Sequence, residues 1–324
     1  MRTNGSLGSE PERADIVMSG PEPDPDALMA VERVVGPLTA VRWVAGVGGE
    51  GVFGCDGTWG TVALKYPAPV ELTFYHTWAP LVAAHGVAMP ALLAQGQSGE
   101  RPFLVLEWFP RPVDEGRDAP GRSGETLREK IRYLALLHQT DRPAVVPAAA
   151  ELPARTAVVA LEDVRAALAL FSLPDANSLE RLLRLSWPRV EGKHLLSGDP
   201  NRTNWGRRQD GTLVLFDWAE AGFGHPAYDL AILPGGLVDV PTLRGVVSAY
   251  LATGLNSQNP EQWLAWAVTV RLATFLRFLA HWGRGELVPT ARNGAKALCR
   301  SLPAWIEAVR PYAAPYGEEP LAPL

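Results

Sequence analysis

The sequence predicts a mixed α+β chain, strand-rich over its first third and mostly helical beyond it. Two observations carry this. Between residues 39 and 108, short apolar runs are separated by glycine turns, as in Val52-Phe-Gly-Cys55 and Thr61-Val-Ala-Leu-Lys65. Further along, Leu127-Arg-Glu-Lys-Ile-Arg-Tyr-Leu-Ala-Leu-Leu-His138 repeats its apolar residues at helical spacing. At 324 residues the chain has room for two lobes with separate cores, or for one large α/β domain.

Composition narrows the classes. Hydrophobic residues make up 47% and charged residues 20%, the balance of an ordinary globular protein. A formal net charge of −5 leaves no basic excess for a nucleic-acid partner. No apolar run approaches the roughly 18 residues that cross a bilayer, so no membrane partner is expected. Cys55 and Cys299 are too few and too far apart for a disulfide framework, which suits a reducing cytoplasm. Residues 1–26 and 311–324, rich in Gly, Pro and acids, read as tails flanking an N-terminal lobe over 27–109 and a C-terminal lobe over 110–310.

In chain order, a short helix over 26–35 begins at Asp26 as its cap, and Thr39–Val47 alternates as a strand. The turn Gly46-Val-Gly-Gly-Glu-Gly51 follows, then strands at 52–55 and 61–65 hinged at Asp56-Gly57 and Trp59-Gly60. The G-x-G-x-x-G spacing opens no helix, as a dinucleotide fold would need, because a Cys-Asp-Gly turn follows at once. One reading is a plain glycine-rich hairpin. The other folds the backbone of Gly46, Gly48, Gly49 and Gly51 over phosphates. Lys65, ending the Val-Ala-Leu run, favours the second, since its cation could reach the same phosphates. Between Lys65 and Glu100 the lone carboxylate is Glu71, at the head of a helical segment that Pro80 kinks or ends. A strand pair over 91–95 and 102–108 leads to Pro110-Arg-Pro112, a crossing point between lobes. An adenine would lie against the backbone of Glu107, Trp108 and Phe109. Helices are expected over 126–138, 157–170, 179–185, 262–282 and 291–309. His138 reads as a core-edge histidine, and Trp263, Trp266 and Trp282 read as core.

The stretch from Ser197 to Asp229 holds the chemistry. Asp199 is followed five residues on by Asn204, and Asp217 closes the apolar run Thr212–Phe216. A strand-borne carboxylate and a nearby amide oxygen form a hard, oxygen-only donor set, which is what magnesium takes alongside phosphate oxygens. Asp199 is placed as the base.

The same order, Asp then Asn then strand-borne Asp, resembles a kinase catalytic loop. With GVGGEG, VALK, the Glu71-x-x-Phe-Tyr helix start, LALLH, GDPNRTN and LFDWAEAGFGHPAYDLA, residues 30–310 resemble the aminoglycoside phosphotransferase and choline kinase branch of the kinase-like superfamily. The resemblance implies a two-lobed protein-kinase-like fold, with ATP (or GTP) and magnesium between lobes and a small-molecule acceptor. The protomer would be a monomer or homodimer. By that resemblance Asp199 orients or deprotonates the acceptor hydroxyl, and Asn204 and Asp217 hold the metal. Lys65 holds the nucleotide phosphates, Glu71 holds Lys65, and Asp229 braces the catalytic loop. Members of the family usually carry His where this chain has Ser197, so an altered brace is expected. A nucleotide-binding regulatory protein on the same fold is the alternative reading.

The acceptor is the least legible part. Over 260–310 the acids Glu261, Glu286 and Glu307 face Arg271, Arg277, Arg284, Arg292, Lys296, Arg300 and Arg310. That balance argues against a highly cationic antibiotic and leans towards a neutral or anionic metabolite, or a less charged antibiotic. Glu220, just past Asp217, is the best single acid near the site. Gly-x-Ser-x-Gly and the P-loop pattern are both absent from the sequence, which removes α/β hydrolases and P-loop kinases.

Overall fold

The computed structural model describes residues 17–19, 22–45, 51–109, 123–140, 150–156, 193–254, 259–283 and 289–313, with isolated positions between 162 and 169. Gly46, Gly48 and Gly49, the helix expected over 179–185 and, isolated positions apart, that over 157–170 lie outside the described residues, as do Arg284 and the side chains of Trp282, Arg292 and Lys296. Contacts divide the chain into two units: 1–67 with 90–108, and 68–89 with 109–324.

The first unit is built on a six-stranded sheet. Its strands are β1 (Val17–Ser19), β2 (Leu38–Ala45), β3 (Gly51–Gly57), β4 (Gly60–Tyr66), β5 (Leu92–Ser98) and β6 (Arg101–Glu107), in the order β1-β2-β3-β4-β6-β5. All neighbours are antiparallel except β1, which pairs parallel with Ala40–Arg42. Part of the expected N-terminal tail thus joins the sheet. Helix α1 (Pro25–Val35) starts earlier than Asp26 implied: Asp24 is the N-cap, and Pro25 supplies a φ already fit for the first turn. Ala27, Val31 and Val35, one turn apart, face Leu38, Phe53, Val62, Leu64 and Val105. Complete burial of a side chain such as Leu64 contributes about 1.5–3 kcal/mol. Cys55 lies within this core, where burial pushes its thiol up to about 12, so it behaves as a small apolar residue.

The second unit begins with α2 (Pro69–Thr73), a π-helical turn (Phe74–Trp78) and α3 (Ala79–Ala84). Pro80 does not end this segment. It has no N–H to give, and the turn before it widens so that the Ala79 N–H reaches back five residues to the Phe74 carbonyl. Helix α4 (Ser123–Leu137) follows, and then two small sheets. In one, β11 (Gly222–Gly224) lies between β7 (Ala154–Arg155) and β8 (His194–Leu196); in the other, β9 (Trp205–Arg207) pairs antiparallel with β10 (Leu213–Leu215). Helices α5 (Ala227–Ile232), α6 (Val240–Leu251), α7 (Pro260–Gly283) and α8 (Pro289–Ala313) complete the unit. The Asp239 side chain caps α6 by accepting from the Thr242 N–H at 2.8 Å. Pro260–Ala280 is apolar enough in length and hydropathy to span a membrane, but 78% of it is buried inside the fold, as in a core helix. Trp263 and Trp266 are part of that core. The last helix runs from Pro289 to Ala313, past the expected end at 309, with Pro303 and Pro311 inside it.

Candidate active site

The loop after β8 is held by one buried carboxylate. Asp229, in the first turn of α5, accepts the Ser197 N–H on Oδ2 and the Gly198 N–H on Oδ1, both at 2.9 Å. Its Oδ2 also lies 3.2 Å from His138 Nε2, and His138 Nδ1 lies 2.8 Å from the Tyr250 hydroxyl. A carboxylate can only accept, so Nε2 carries the imidazole proton and Nδ1 accepts from Tyr250. Burial lowers the pKa of His138 against the pull of Asp229, which keeps the ring neutral and this tautomer in place. His138 is therefore not at the core edge but part of a buried chain, Tyr250–His138–Asp229, that ends on the loop backbone. The Ser197 Oγ is buried with no hydrogen-bond partner among the described residues.

Gly198 has φ 79, and a Cβ there would collide with the Glu220 carbonyl oxygen. Gly198→Ala is therefore expected to cost more than about 2 kcal/mol of stability, from strain plus overpacking. Urea unfolding checks this, and a loss below about 0.5 kcal/mol would mean that the loop can shift freely.

The loop turns on its own side chains. Asn201 Nδ2 donates to Asp199 Oδ2 at 2.8 Å, and Asn204 Nδ2 donates to the Asp199 carbonyl at 3.0 Å and to its Oδ2 at 3.2 Å. The Asn204 carbonyl accepts the Phe216 N–H at 2.9 Å, which ties the loop to the end of β10. Burial pushes Asp199 up to about 6; the Asn201 bond opposes this, and the charges of Asp217 and Glu220 add to it. Asp217 has φ 66, the single positive φ outside glycine among the described residues. Such strain at a polar residue ending a strand is typical of a functional position. Trp218, next in the chain, stacks on Phe74 with ring centroids 4.1 Å apart, and its backbone N–H donates to Glu71 Oε1 at 3.3 Å. Glu71, fully buried in α2, thus fixes the backbone beside Asp217.

Asn204 turns its NH2 towards Asp199, which leaves Oδ1 as an acceptor; with the Asp217 carboxylate it would offer a donor set of oxygens only. Among the described residues no group of three or more His, Cys, Asp or Glu could hold a metal alone. A pair of oxygen donors fits a magnesium ion that draws its other ligands from phosphates and water.

Residues 56–266 match the model of a family described as phosphotransferase enzymes. The chain belongs to this family. No curated protein matches it significantly in sequence. In fold this phosphotransferase is similar to a spectinomycin phosphotransferase solved with ADP and spectinomycin, with a TM-score of 0.63, 13% identity, and coverage of 87% of this chain and 95% of that one. It is also similar to a choline/ethanolamine kinase family protein from Mesorhizobium loti (TM-score 0.54, 17% identity, 85% and 91% covered). A choline kinase from Streptococcus pneumoniae gives a TM-score of 0.52 at 14% identity, with 86% and 99% covered. The antiparallel sheet of the first unit and the helices of the second agree with the kinase-like fold expected from the sequence.

The phosphotransferase brings Asp199, Asn204 and Asp217 together on one loop and the neighbouring hairpin of its second unit. Glu71 belongs to that unit as well. Lys65 lies in the first unit near the end of β4, between Val52 of β3 and Leu104 of β6, and is 9% exposed. Gly51 opens β3 beneath Trp43, whose ring would stand 2.7 Å from a Cβ there. Glu107 ends β6 and accepts the Ala91 N–H on Oε2, while Trp108 packs over Gly54. Phe109, in the second unit, stacks on Phe216 at 5.9 Å and covers Gly206. Glu220 is ion-paired with Arg155 at 2.5 Å and so is not a free acid. Sequence reasoning missed Tyr250, Trp218 and Arg155. Two signals were available: the polar pair Tyr228-Asp229 inside an apolar segment, and a histidine closing an amphipathic helix.

Proposed function

We propose that this phosphotransferase moves the γ-phosphoryl group of ATP (or GTP) to a hydroxyl of a small metabolite or antibiotic, with Asp199 as the base. The observation that carries this reading is Asp199 itself, half-buried, raised to about 6 and fixed by Asn201 and Asn204. A carboxylate poised there is ionised at neutral pH yet basic enough to take a proton. The acceptor O–H donates to Asp199. As the new O–P bond forms and the bond from the γ-phosphorus to the bridging oxygen breaks, the proton passes to the carboxylate and ADP departs. Asn204 and Asp217 would hold magnesium, which supplies neutralisation of charge on the phosphate oxygens. Lys65, the hairpin backbone at Gly46, Gly48, Gly49 and Gly51, and the strand end at Glu107, Trp108 and Phe109 are assigned to the nucleotide. The cytoplasm, where Mg-ATP is supplied, is the compartment in which this reaction would run.

The test is ADP formation from Mg-ATP and Mg-GTP across sugars, amino alcohols and antibiotics, with wild type compared to Asp199→Asn. Turnover that the variant abolishes supports the reading. Nucleotide binding with no turnover above the variant's background would instead favour a regulatory protein. Ser197→Ala is expected to leave stability within about 0.5 kcal/mol and turnover within about twofold, because its Oγ has no partner to lose among the described residues. A tenfold fall in kcat, by about 1.4 kcal/mol in barrier, would give that hydroxyl a role of its own.

A further inference from the structure

Helices α4 and α6 pack side by side, and a groove of about 450 Å³ runs between them. It is lined by Arg128, Ile131 and Arg132 of α4 and by Ala249, Ala252 and Thr253 at the end of α6, with nothing from the Asp199 loop. Ile131 is buried, and both arginines are exposed. Leu136, one turn past Arg132, is left 41% exposed.

The groove does not cancel its own charge. No carboxylate lines it, and Asp239, the acid of α6, caps the far end of that helix. On α4 the nearby acids are Glu125, one turn before Arg128, and Glu129, which is held by both Nη atoms of Arg207 at 3.0 and 2.7 Å. Among the described residues neither Arg128 nor Arg132 makes an ion pair or a hydrogen bond. A guanidinium in that state offers a planar fork to a carboxylate.

The chain itself carries a complement. Tyr312, in the last turn of α8, has the Arg244 guanidinium of α6 over its ring at 5.5 Å, and Arg244 also pairs with Glu261 of α7. Residues 314–324, Ala-Pro-Tyr-Gly-Glu-Glu-Pro-Leu-Ala-Pro-Leu, continue from this point and lie outside the described residues. They hold two carboxylates, Glu318 and Glu319, and no basic residue. Pro315, Pro320 and Pro323 favour an extended run, which loses little entropy on docking. The length suffices. Arg244 to Ala252 covers about 12 Å of α6, and Ala313 to Glu318 spans up to about 17 Å when extended. Gly245, Ser248 and Ala249, small residues of α6 between the two points, leave the track open.

We propose that residues 314–324 dock in the α4–α6 groove of their own chain, with Glu318 and Glu319 on Arg128 and Arg132 and Leu321 over Ile131 and Ala252. Exposed ion pairs contribute little singly, but so short a tether keeps the segment at a millimolar effective concentration, where weak contacts suffice. The docked segment joins the helix that leads into His138 to the helix that carries Tyr250, the pair behind the Asp199 loop.

Disulfide trapping in the full chain tests it. Leu321→Cys is combined with Ala252→Cys in the groove, or with Thr242→Cys, exposed in the first turn of α6 and nearer to Arg244. Cys299→Ser removes a competing thiol, and Cys55 is buried. In dilute protein under mild oxidation, the Ala252 pair is expected to close about tenfold faster than the Thr242 pair. Arg128→Glu with Arg132→Glu should bring the two rates within about twofold, and adding Glu318→Arg with Glu319→Arg should restore the preference. High salt should shrink it. Equal rates with native charges, or a preference that the arginine reversal leaves untouched, would overturn the docking. A disulfide between two copies would overturn it too, and give the groove to a second chain.

Discussion

Asp199→Asn is expected to lower kcat by about a thousandfold, within the range that general-base removal produces. The amide keeps the size and the hydrogen bonds of the carboxylate but cannot take the proton. Affinity for nucleotide should change little. Wild type should also show an acid limb in kcat/KM centred near pH 6, the value to which Asp199 is raised. The same shift gives the variant a signature in stability. The folded protein holds this proton more tightly than the unfolded chain, since the group moves from 3.8 to about 6. Its stabilising contribution is therefore full below the unfolded value and is lost as pH rises through about 6. At pH 8 the buried charge is a cost, so Asp199→Asn should melt higher than wild type, by on the order of 1 kcal/mol. Near pH 4 the gap should close. Melting curves at both pH values with a kcat/KM profile decide the matter; an active Asn variant, or no acid limb, would remove Asp199 from the role.

The second large effect is expected at Asp229. Asp229→Ala removes the acceptor of the Ser197 and Gly198 N–H groups and of His138 Nε2 at once, all of them buried. Stranding those donors costs about 3–5 kcal/mol. The loop that carries Asp199 would also lose its anchor, and a misplacement of about 1 Å costs on the order of a hundredfold in rate. Asp229→Asn keeps one oxygen acceptor and should fall between. Urea unfolding and turnover measured on the same preparations provide the check. A loss under about 1 kcal/mol for the Ala variant would mean that another group holds the loop.

How much was legible depended on sequence distance. Asp199, Asn204 and Asp217 lie on one loop and the adjoining hairpin, so local spacing carried the geometry, and the Asn204–Phe216 backbone bond only closes it. The strands of the first unit were legible too, because their buried runs sit between glycine turns. The Tyr250–His138–Asp229 chain was not. Its links span 112 and 91 residues, and no local pattern states which buried histidine meets which buried carboxylate. Glu71 was read through its nearest candidate partner, Lys65. In the second unit its carboxylate takes the Trp218 N–H, 147 residues away. Glu220 read as the best single acid near the site, and nothing local announced Arg155, which folding brings against it.

The widened turn at Phe74–Trp78 takes up one residue more than an α-helical turn would. Its five steps cover about the angle of four in an α-helix, so deleting one residue there would restore ordinary winding and leave the flanking residues nearly in register. Glu71, which meets Trp218, and Trp78, bonded to the Ala150 carbonyl, would keep their directions. The same deletion in the regular turns on either side would swing one end past the other by about 100°. The turn is a clutch between two halves of one helix, and it is the place where this segment can change its length.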